Sequence, residues 1–401
     1  MKIRSITCFC NPLDEDFKST IKNISRFIKA CREDIEKKGW EIQTTRLATI
    51  PFGIYTNKDN AITKIQELET LAGDNGFTYL SVGPARLHNP DEYRLVPEIL
   101  SATRNVFASG ILTHPHQGIS PQAIRECARI ITEAATISPD GFTNLRFCAM
   151  SNVKPFTPFF PASYSYGSQP AFAIAVESAD AAISAFKEAH SISEGRNLML
   201  SGMNSAAEKL GKLAVLNARQ FGISFKGFDF SLAPFPEEWC SIGKALEDLG
   251  DIKLGMMGSL TSAAILAETL DRGKWQRAGF NGLMLPVLED STLAARSETE
   301  HFTVKDLLMF SSVCGTGLDT VPLPGDIRAD QIEPLLMDIS ALSLRLKKPL
   351  TARLMPVPGL KSGEKTTFDF EFFRNGQIMD FPAAKLGGLL AKSDWISIRN
   401  R

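Results

Sequence analysis

The sequence is poor in the residues from which most metal and redox sites are built. It has five histidines in 401 residues. Its seven cysteines (Cys8, Cys10, Cys31, Cys127, Cys148, Cys240 and Cys314) are scattered, and no pair has CxxC spacing, which excludes a zinc ribbon or a thioredoxin-type motif. Charge of one sign is also missing: 44 Lys and Arg balance 45 Asp and Glu, for a net charge of -1. A chain so balanced offers no electrostatic attraction to nucleic acid or to an anionic membrane. No apolar run approaches the ~20 residues that span a bilayer. The start of the chain has one Lys and one Arg before a polar, strand-like stretch, not the apolar core of a signal peptide. Low-complexity segments and short repeats are absent. The expectation is a cytoplasmic chain with reduced thiols.

What is present is average globular usage, 44% hydrophobic and 22% charged, enough for a large core. Strand-like and helix-like stretches alternate almost from end to end. Ile3–Phe9 reads as a strand; Phe17, Ile21, Ile24, Ile28, Cys31 and Ile35 then recur at three and four residues, one face of a long helix stopped by Gly39. Further strands are expected near 41–47, 78–82, 107–112, 145–150, 171–176, 223–230, 283–287, 310–314 and 352–357. Between them lie helices, one of them opened by an Asp330-x-x-Glu333 capping pattern. Helices between short apolar strands imply parallel pairing through crossovers, so the class is α/β. The prolines of Lys154–Pro161 resist regular structure and suggest a crossing between two halves near 151–166. The chain is read as one α/β domain over 1–401.

The loops carry a resemblance. Gly141-Phe-Thr-Asn-Leu-Arg-Phe147, Pro158-Phe-Phe-Pro-Ala162, Asp229-Phe-Ser-Leu-Ala-Pro-Phe-Pro236, Gly282–Asp290 and Val313-Cys-Gly-Thr-Gly-Leu-Asp-Thr-Val-Pro-Leu-Pro-Gly-Asp326 occur in this order. Together they resemble the domain of unknown function 711 family, also called uncharacterised protein family 0210, over nearly the whole chain. The resemblance implies a pyruvate formate-lyase-like ten-stranded α/β barrel, built from two five-stranded halves with helices outside. In glycyl-radical enzymes of that fold a barrel loop carries a cysteine, a position echoed by Cys314. Their C-terminal radical glycine has no counterpart here, because Arg374-Asn-Gly376 lacks the rest of the motif. Tyr164-Ser165 stands where the family has Tyr-His.

Candidate functional residues fall in loops near 229–236, 286–291, 314–326 and 353–359, expected at strand C-terminal ends, where α/β folds place their sites. Cys314 reads as the end of an apolar strand and is the candidate nucleophile. Gly315 and Gly317 would let backbone N–H groups approach an anion, while Asp319 and Asp326 would serve as acid/base groups or ligands. The bland reading is a structural turn around an inert thiol. Glu289, beside Asp290, is a second acid/base candidate, against the reading that both carboxylates cap the helix that follows. Asp229 and Ser231 form a similar polar pair. Arg353, an odd charge in a strand pattern, suits a carboxylate or phosphate; Asn144 and Arg146 admit the same use, or structural pairing. His114-Pro-His116 resembles a metal motif without its further histidines and reads better as a surface loop. Gly255-Met-Met-Gly-Ser259 is a glycine-rich helix entry, explained equally by close packing.

The leading expectation is an enzyme of unassigned reaction, with Cys314, Asp319 and Glu289 catalytic and a small-molecule ligand bound beside them. The alternatives are a non-catalytic small-molecule-binding or regulatory protein, and an obligate homo-oligomer with an apolar interface at Phe156–Tyr166. The sequence assigns no cofactor and no metal.

Overall fold

In the computed structural model, which describes residues 1–400, the first half of the chain alternates strand and helix, interrupted by one small hairpin. The strands are β1 (Lys2–Cys10), β2 (Ile42–Thr49), β3 (Tyr79–Ala85), β4 (Val106–Ile111), a small hairpin of β5 (Thr113–His114) and β6 (Gly118–Ile119), and β7 (Phe147–Ser151). The helices between them are α1 (Phe17–Glu36), α2 (Ala61–Asp74), α3 (Pro90–Ala102) and α4 (Pro121–Ala135). The second half holds β8 (Ala171–Glu177), α5 (Ala179–Glu188), α6 (Ile192–Phe221), β9 (Ser224–Asp229), α7 (Ile242–Gly250) and α8 (Ser259–Asp271). It continues with α9 (Ser291–Arg296), α10 (Val304–Phe310), β10 (Gly317–Pro324), α11 (Ala329–Leu346), β11 (Leu350–Val357) and α12 (Gly388–Lys392).

Nine strands make one mixed sheet, in the order β10-β11-β7-β4-β3-β2-β1-β8-β9. The five central strands are mutually parallel. On each side a parallel pair, β8–β9 or β11–β10, joins them antiparallel. Segment 277–286 makes isolated parallel bridges to both outer strands or their extensions: Arg277 to Phe228, Leu283 to Leu232, and Pro286 to Asp319.

Strand alternation sorts the side chains. From β1, Ile6, Cys8 and Cys10 join a large cluster under the helices, with Ile21, Ile24 and Phe27 of α1 and Ile124, Ala128 and Ile131 of α4. Phe9 of β1 and Ala48 of β2 belong to a separate cluster with Phe107, Phe160, Ala171 and Ala173. This second face is covered by the chain itself. Ser5 and Thr7 hydroxyls donate to the Pro158 carbonyl at 3.3 and 2.8 Å, and Ser81 donates to that of Ser163 at 2.6 Å. The Ser165 amide donates to the Thr49 carbonyl at 2.8 Å. The proline-rich segment therefore runs across β1, β2 and β3, and its Phe159, Phe160 and Ala162 are buried within the same chain. The apolar character that suggested an intermolecular interface at Phe156–Tyr166 is used here, inside the chain, although Tyr166 itself is 73% exposed.

Two expected strands differ. Residues 310–314 are the end of α10 and the turn after it. Val304, Leu307 and Phe310 bury one helical face, and Thr303 with Asp306 forms a capping box at its start. A short apolar run fits a buried helix end as well as a strand, and the cap decides. Residues 283–287 are extended but bridge singly, and a 3₁₀ turn at Val287–Glu289 follows Pro286. Among the described residues no helix is long and apolar enough to cross a membrane.

Candidate functional site

On the face away from the helices, a cavity leaves about 100 Å³ open to the centres of water-sized molecules. That is room for several waters or one small organic molecule. Arg4 of β1, Gln43, Thr44 and Arg46 of β2, Tyr79 of β3, Phe107 of β4 and Cys148 of β7 line it. These come from the N-terminal portions of their strands. From the second half it takes Ala233, Pro234, Pro286, Glu289, Thr316, Asp319, Thr351 and Arg353. Each of the four sequence-selected segments thus contributes. The expected position at strand C-terminal ends does not describe all of them: Asp319 and Arg353 project from within β10 and β11, not from loops beyond them.

One wall carries alternating charge. The Arg4 Nη1 donates to Glu177 Oε1 at 2.6 Å, and its Nη2 to Glu289 Oε2 at 3.0 Å. Arg353 donates from Nη2 to Glu289 Oε1 at 2.7 Å and from Nε to Asp319 Oδ1 at 2.5 Å. Gln43 Nε2 closes the far end on Glu177 Oε2 at 2.7 Å. Much of the remaining lining is aromatic, with Tyr79, Phe107, Phe159, Phe160, Phe280, Phe370 and Phe372.

Two of these charges are aimed by irregularities in the sheet. The β1–β8 register slips between Ile3 and Ser5, leaving Arg4 as an extra residue. The β10–β11 register slips between Leu318 and Val321, so Asp319 and Thr320 oppose one residue of β11, and Thr320 takes φ +38°. Bulges re-aim side chains out of strict alternation, and a β-branched residue at positive φ is costly backbone, retained where the surroundings enforce it. Thr320 is fully buried, and its hydroxyl accepts from the Leu288 amide at 3.4 Å.

Burial raises Asp319 above the ordinary aspartate range; Arg353 opposes the rise and Glu289 adds to it. Arg353 is itself desolvated, yet Asp319 and Glu289 hold it firmly charged. Burial likewise raises Glu177 despite Arg4, and lifts the Cys148 thiol far up, so that thiol is protonated. Arg46 differs from the other two arginines. It is 7% exposed, its Nε donates to Thr44 Oγ1 at 2.9 Å, and desolvation lowers it to about 9.

The remaining sequence candidates lie elsewhere or are already engaged. Cys314 is buried and does not line the cavity; its sulfur accepts from the Gly317 amide at 3.5 Å. Gly315 packs against Gly282, where an added Cβ would come 2.7 Å from the Gly282 Cα, and a Cβ on Gly317 (φ +96°) would meet the Thr351 carbonyl at 2.2 Å. Both glycines serve close backbone approach. Asp326 is exposed. Asp229 is fully buried and accepts from Ser231 N and Oγ, Phe280 N and Asn281 N at 2.6–3.0 Å, which ties β9 to residues 280–281. Burial raises it to about 6 against these bonds. Ser231 Oγ also accepts from Gly282 N. Arg146 donates to the carbonyls of Leu100, Thr103 and Val106, from the last turn of α3 to the start of β4. Asn144 is buried; its backbone amide donates to the Gly141 carbonyl at 3.1 Å, and neither side-chain amide atom is hydrogen-bonded. Asp290 caps α9 by accepting from Thr292 N and Leu293 N. His114 and His116 sit with His88 and Trp395 around the β5–β6 hairpin. No metal-binding cluster of His, Cys, Asp or Glu occurs among the described residues.

Sequence reasoning missed Arg4, Gln43, Arg46, Cys148 and Glu177. The test that selected Arg353, a charge inside an apolar strand, also fits Arg46 in Thr45-Arg46-Leu47-Ala48 and Glu177 at the end of Ala171–Glu177. Arg4 gives no such signal, because its direction depends on the bulge.

Fold and cavity together describe a mixed α/β protein whose large sheet carries a charged interior site. The chain belongs to the family described as uncharacterised ACR (DUF711), whose model matches residues 1–374. It is 28% identical over 394 residues to a UPF0210 protein of Pyrobaculum arsenaticum, covering 91% of this chain and 87% of that one. A UPF0210 protein of Syntrophobacter fumaroxidans is 26% identical, over 88% of this chain and 84% of its own length. One from Methanopyrus kandleri is 26% identical, over 91% and 88%. None of these names states a function.

Proposed function

We propose that the chain is an enzyme that moves a proton on a small molecule held in the cavity, with Asp319 as the acid–base group. The observation that carries this reading is the buried run Arg4–Glu289–Arg353–Asp319 in the lining of a cavity rich in aromatic side chains, with Glu177, outside the lining, paired to Arg4. Buried ion pairs are poor devices for stability, since well-packed apolar residues do as well or better. Charged groups concentrated on one cavity wall, with pKa values displaced by burial and by one another, are typical of working sites. Asp319 is bound through Oδ1 by one arginine and displaced upward, which suits a group that accepts and returns a proton. Glu289, with both oxygens engaged, holds Arg353 and Arg4 in place. Arg353 would steady the charge that develops when the proton leaves the substrate.

In the same reading, the sheet closes into a ten-stranded barrel of the pyruvate formate-lyase type. Support comes from segment 277–286, whose bridges reach towards β9 on one side and β10 on the other, as a tenth strand would. The five parallel strands β7-β4-β3-β2-β1 would form one half, and β8, β9, 277–286, β10 and β11 the other, running oppositely. The cavity would then be the barrel interior.

A second reading, a non-catalytic binding protein, is favoured by the completeness of the ion pairing at Glu289. The test is turnover without a presumed substrate. The purified protein is incubated with a small-molecule extract, and depletion is followed by mass spectrometry beside Asp319→Asn. The enzyme reading expects a compound consumed by the wild type and spared by the variant. A compound retained by the protein but never consumed would replace that reading with the binding one.

A further inference from the structure

We propose that Arg46 is an oxyanion-binding subsite, and that the ligand of the cavity is a small molecule bearing a carboxylate or phosphate beside an apolar body. The inference deepens the cavity reading above and rests on it. Three arginines line the space, and two of them spend their charge on the carboxylates of the wall. Arg46 does not: among the described residues it has no carboxylate within ion-pair distance, and its one side-chain hydrogen bond goes from Nε to a neutral hydroxyl. Neither terminal amino nitrogen has a partner, although the residue is 7% exposed and faces the cavity.

The guanidinium is also held in one plane. Its carbon lies 5.2 Å from the Phe160 ring centroid and 5.7 Å from that of Tyr79. With two aromatic neighbours and Nε tied to Thr44, the free edge is the Nη1–Nη2 fork, the edge that grips a carboxylate or phosphate through two parallel hydrogen bonds. Phe107, Phe159 and Met284 line the same space and would take an apolar body. Aromatic contact recovers only part of what a buried cation loses on leaving water. Without an anion the guanidinium is therefore held at a cost to stability, which an arriving anion removes.

Two measurements on the full chain test this, at constant ionic strength. Binding of benzoate, inorganic phosphate and neutral benzamide is followed by calorimetry for the wild type and for Arg46→Met. Thermal unfolding of both proteins is recorded without added ligand. The expected result is saturable binding of benzoate or phosphate to the wild type, weakened more than about tenfold in the variant, with benzamide binding no better to one protein than the other. Benzoate alone would mark the ligand as a carboxylate, and phosphate alone as a phosphoryl compound. Unliganded Arg46→Met is expected to melt higher than wild type. Anion binding unchanged by the substitution, or a lower melting temperature for the unliganded variant, would overturn the assignment to Arg46 while leaving the cavity a ligand site. No binding of any probe to the wild type would remove the oxyanion subsite. The turnover experiment, which presumes no anion, would still decide the enzyme reading.

Discussion

Replacing Asp229 with alanine tests whether that carboxylate is a structural clamp. Three backbone amides and one hydroxyl donate to it, and no part of the residue reaches solvent. Alanine leaves those four donors unpaired in a dry place, at about 1–3 kcal/mol each when counted singly. The sum is an upper bound, because neighbouring losses are not additive and local relaxation admits water. Against it stands the relief of no longer burying a charge. With the folded group at about 6 and the unfolded one near 3.8, that relief amounts to about 3 kcal/mol above pH 7. A net loss of about 3–5 kcal/mol is expected. The pH dependence gives the sharper check. A carboxyl raised in the folded state contributes stability that is complete below its unfolded value and is lost as pH rises through the folded value. The gap between wild type and Asp229→Ala should therefore be larger at pH 5 than at pH 8, by about 1 kcal/mol. Guanidinium unfolding curves at both pH values measure it. A gap that is equal at the two pH values, or larger at pH 8, would refute the reasoning, as would a variant as stable as the wild type.

Three further outcomes are expected. Glu289→Gln removes the charge shared by Arg4 and Arg353 and should cost about 2–4 kcal/mol in the same unfolding assay. Gly282→Ala, whose Cβ would come 2.4 Å from the Gly315 Cα, should destabilise by more than about 2 kcal/mol or yield insoluble protein, whereas Gly202→Ala, with open space around it, should not. All seven cysteines are free and buried, so iodoacetamide at pH 8 should label native protein far more slowly than unfolded protein. Rapid labelling of Cys148 would contradict the raised thiol described for it.

How much was legible depended on whether local pattern decided the structure. α1 was readable because Ile21, Ile24, Ile28, Cys31 and Ile35 repeat at the helical period and all meet the sheet. β10 was not, because the motif around Cys314–Asp326 reads as a loop: three glycines and two prolines hide a strand that tolerates them through a bulge and close backbone approach. Of the site, Glu289, Asp319 and Arg353 were visible as charges beside apolar runs. Their convergence was not, since residues 4, 177, 289 and 353 meet only through the order of strands in the sheet. Arg4 was hidden most deeply, because a one-residue register slip aims it and no local pattern records such a slip.

The ion-pair wall also says something about synthesis. Arg4 leaves the ribosome well before its partners, Glu177 and Glu289, and Arg353 follows later still. The early strands also wait for residues 158–165 to cover their inner face. A nascent chain therefore carries β1, β2 and β3 with one side bare and with charges unmatched, and no partial product holds the finished cavity. Until β11 is released the protein has a sheet in progress and no site, so whatever the cavity does is withheld from truncated chains.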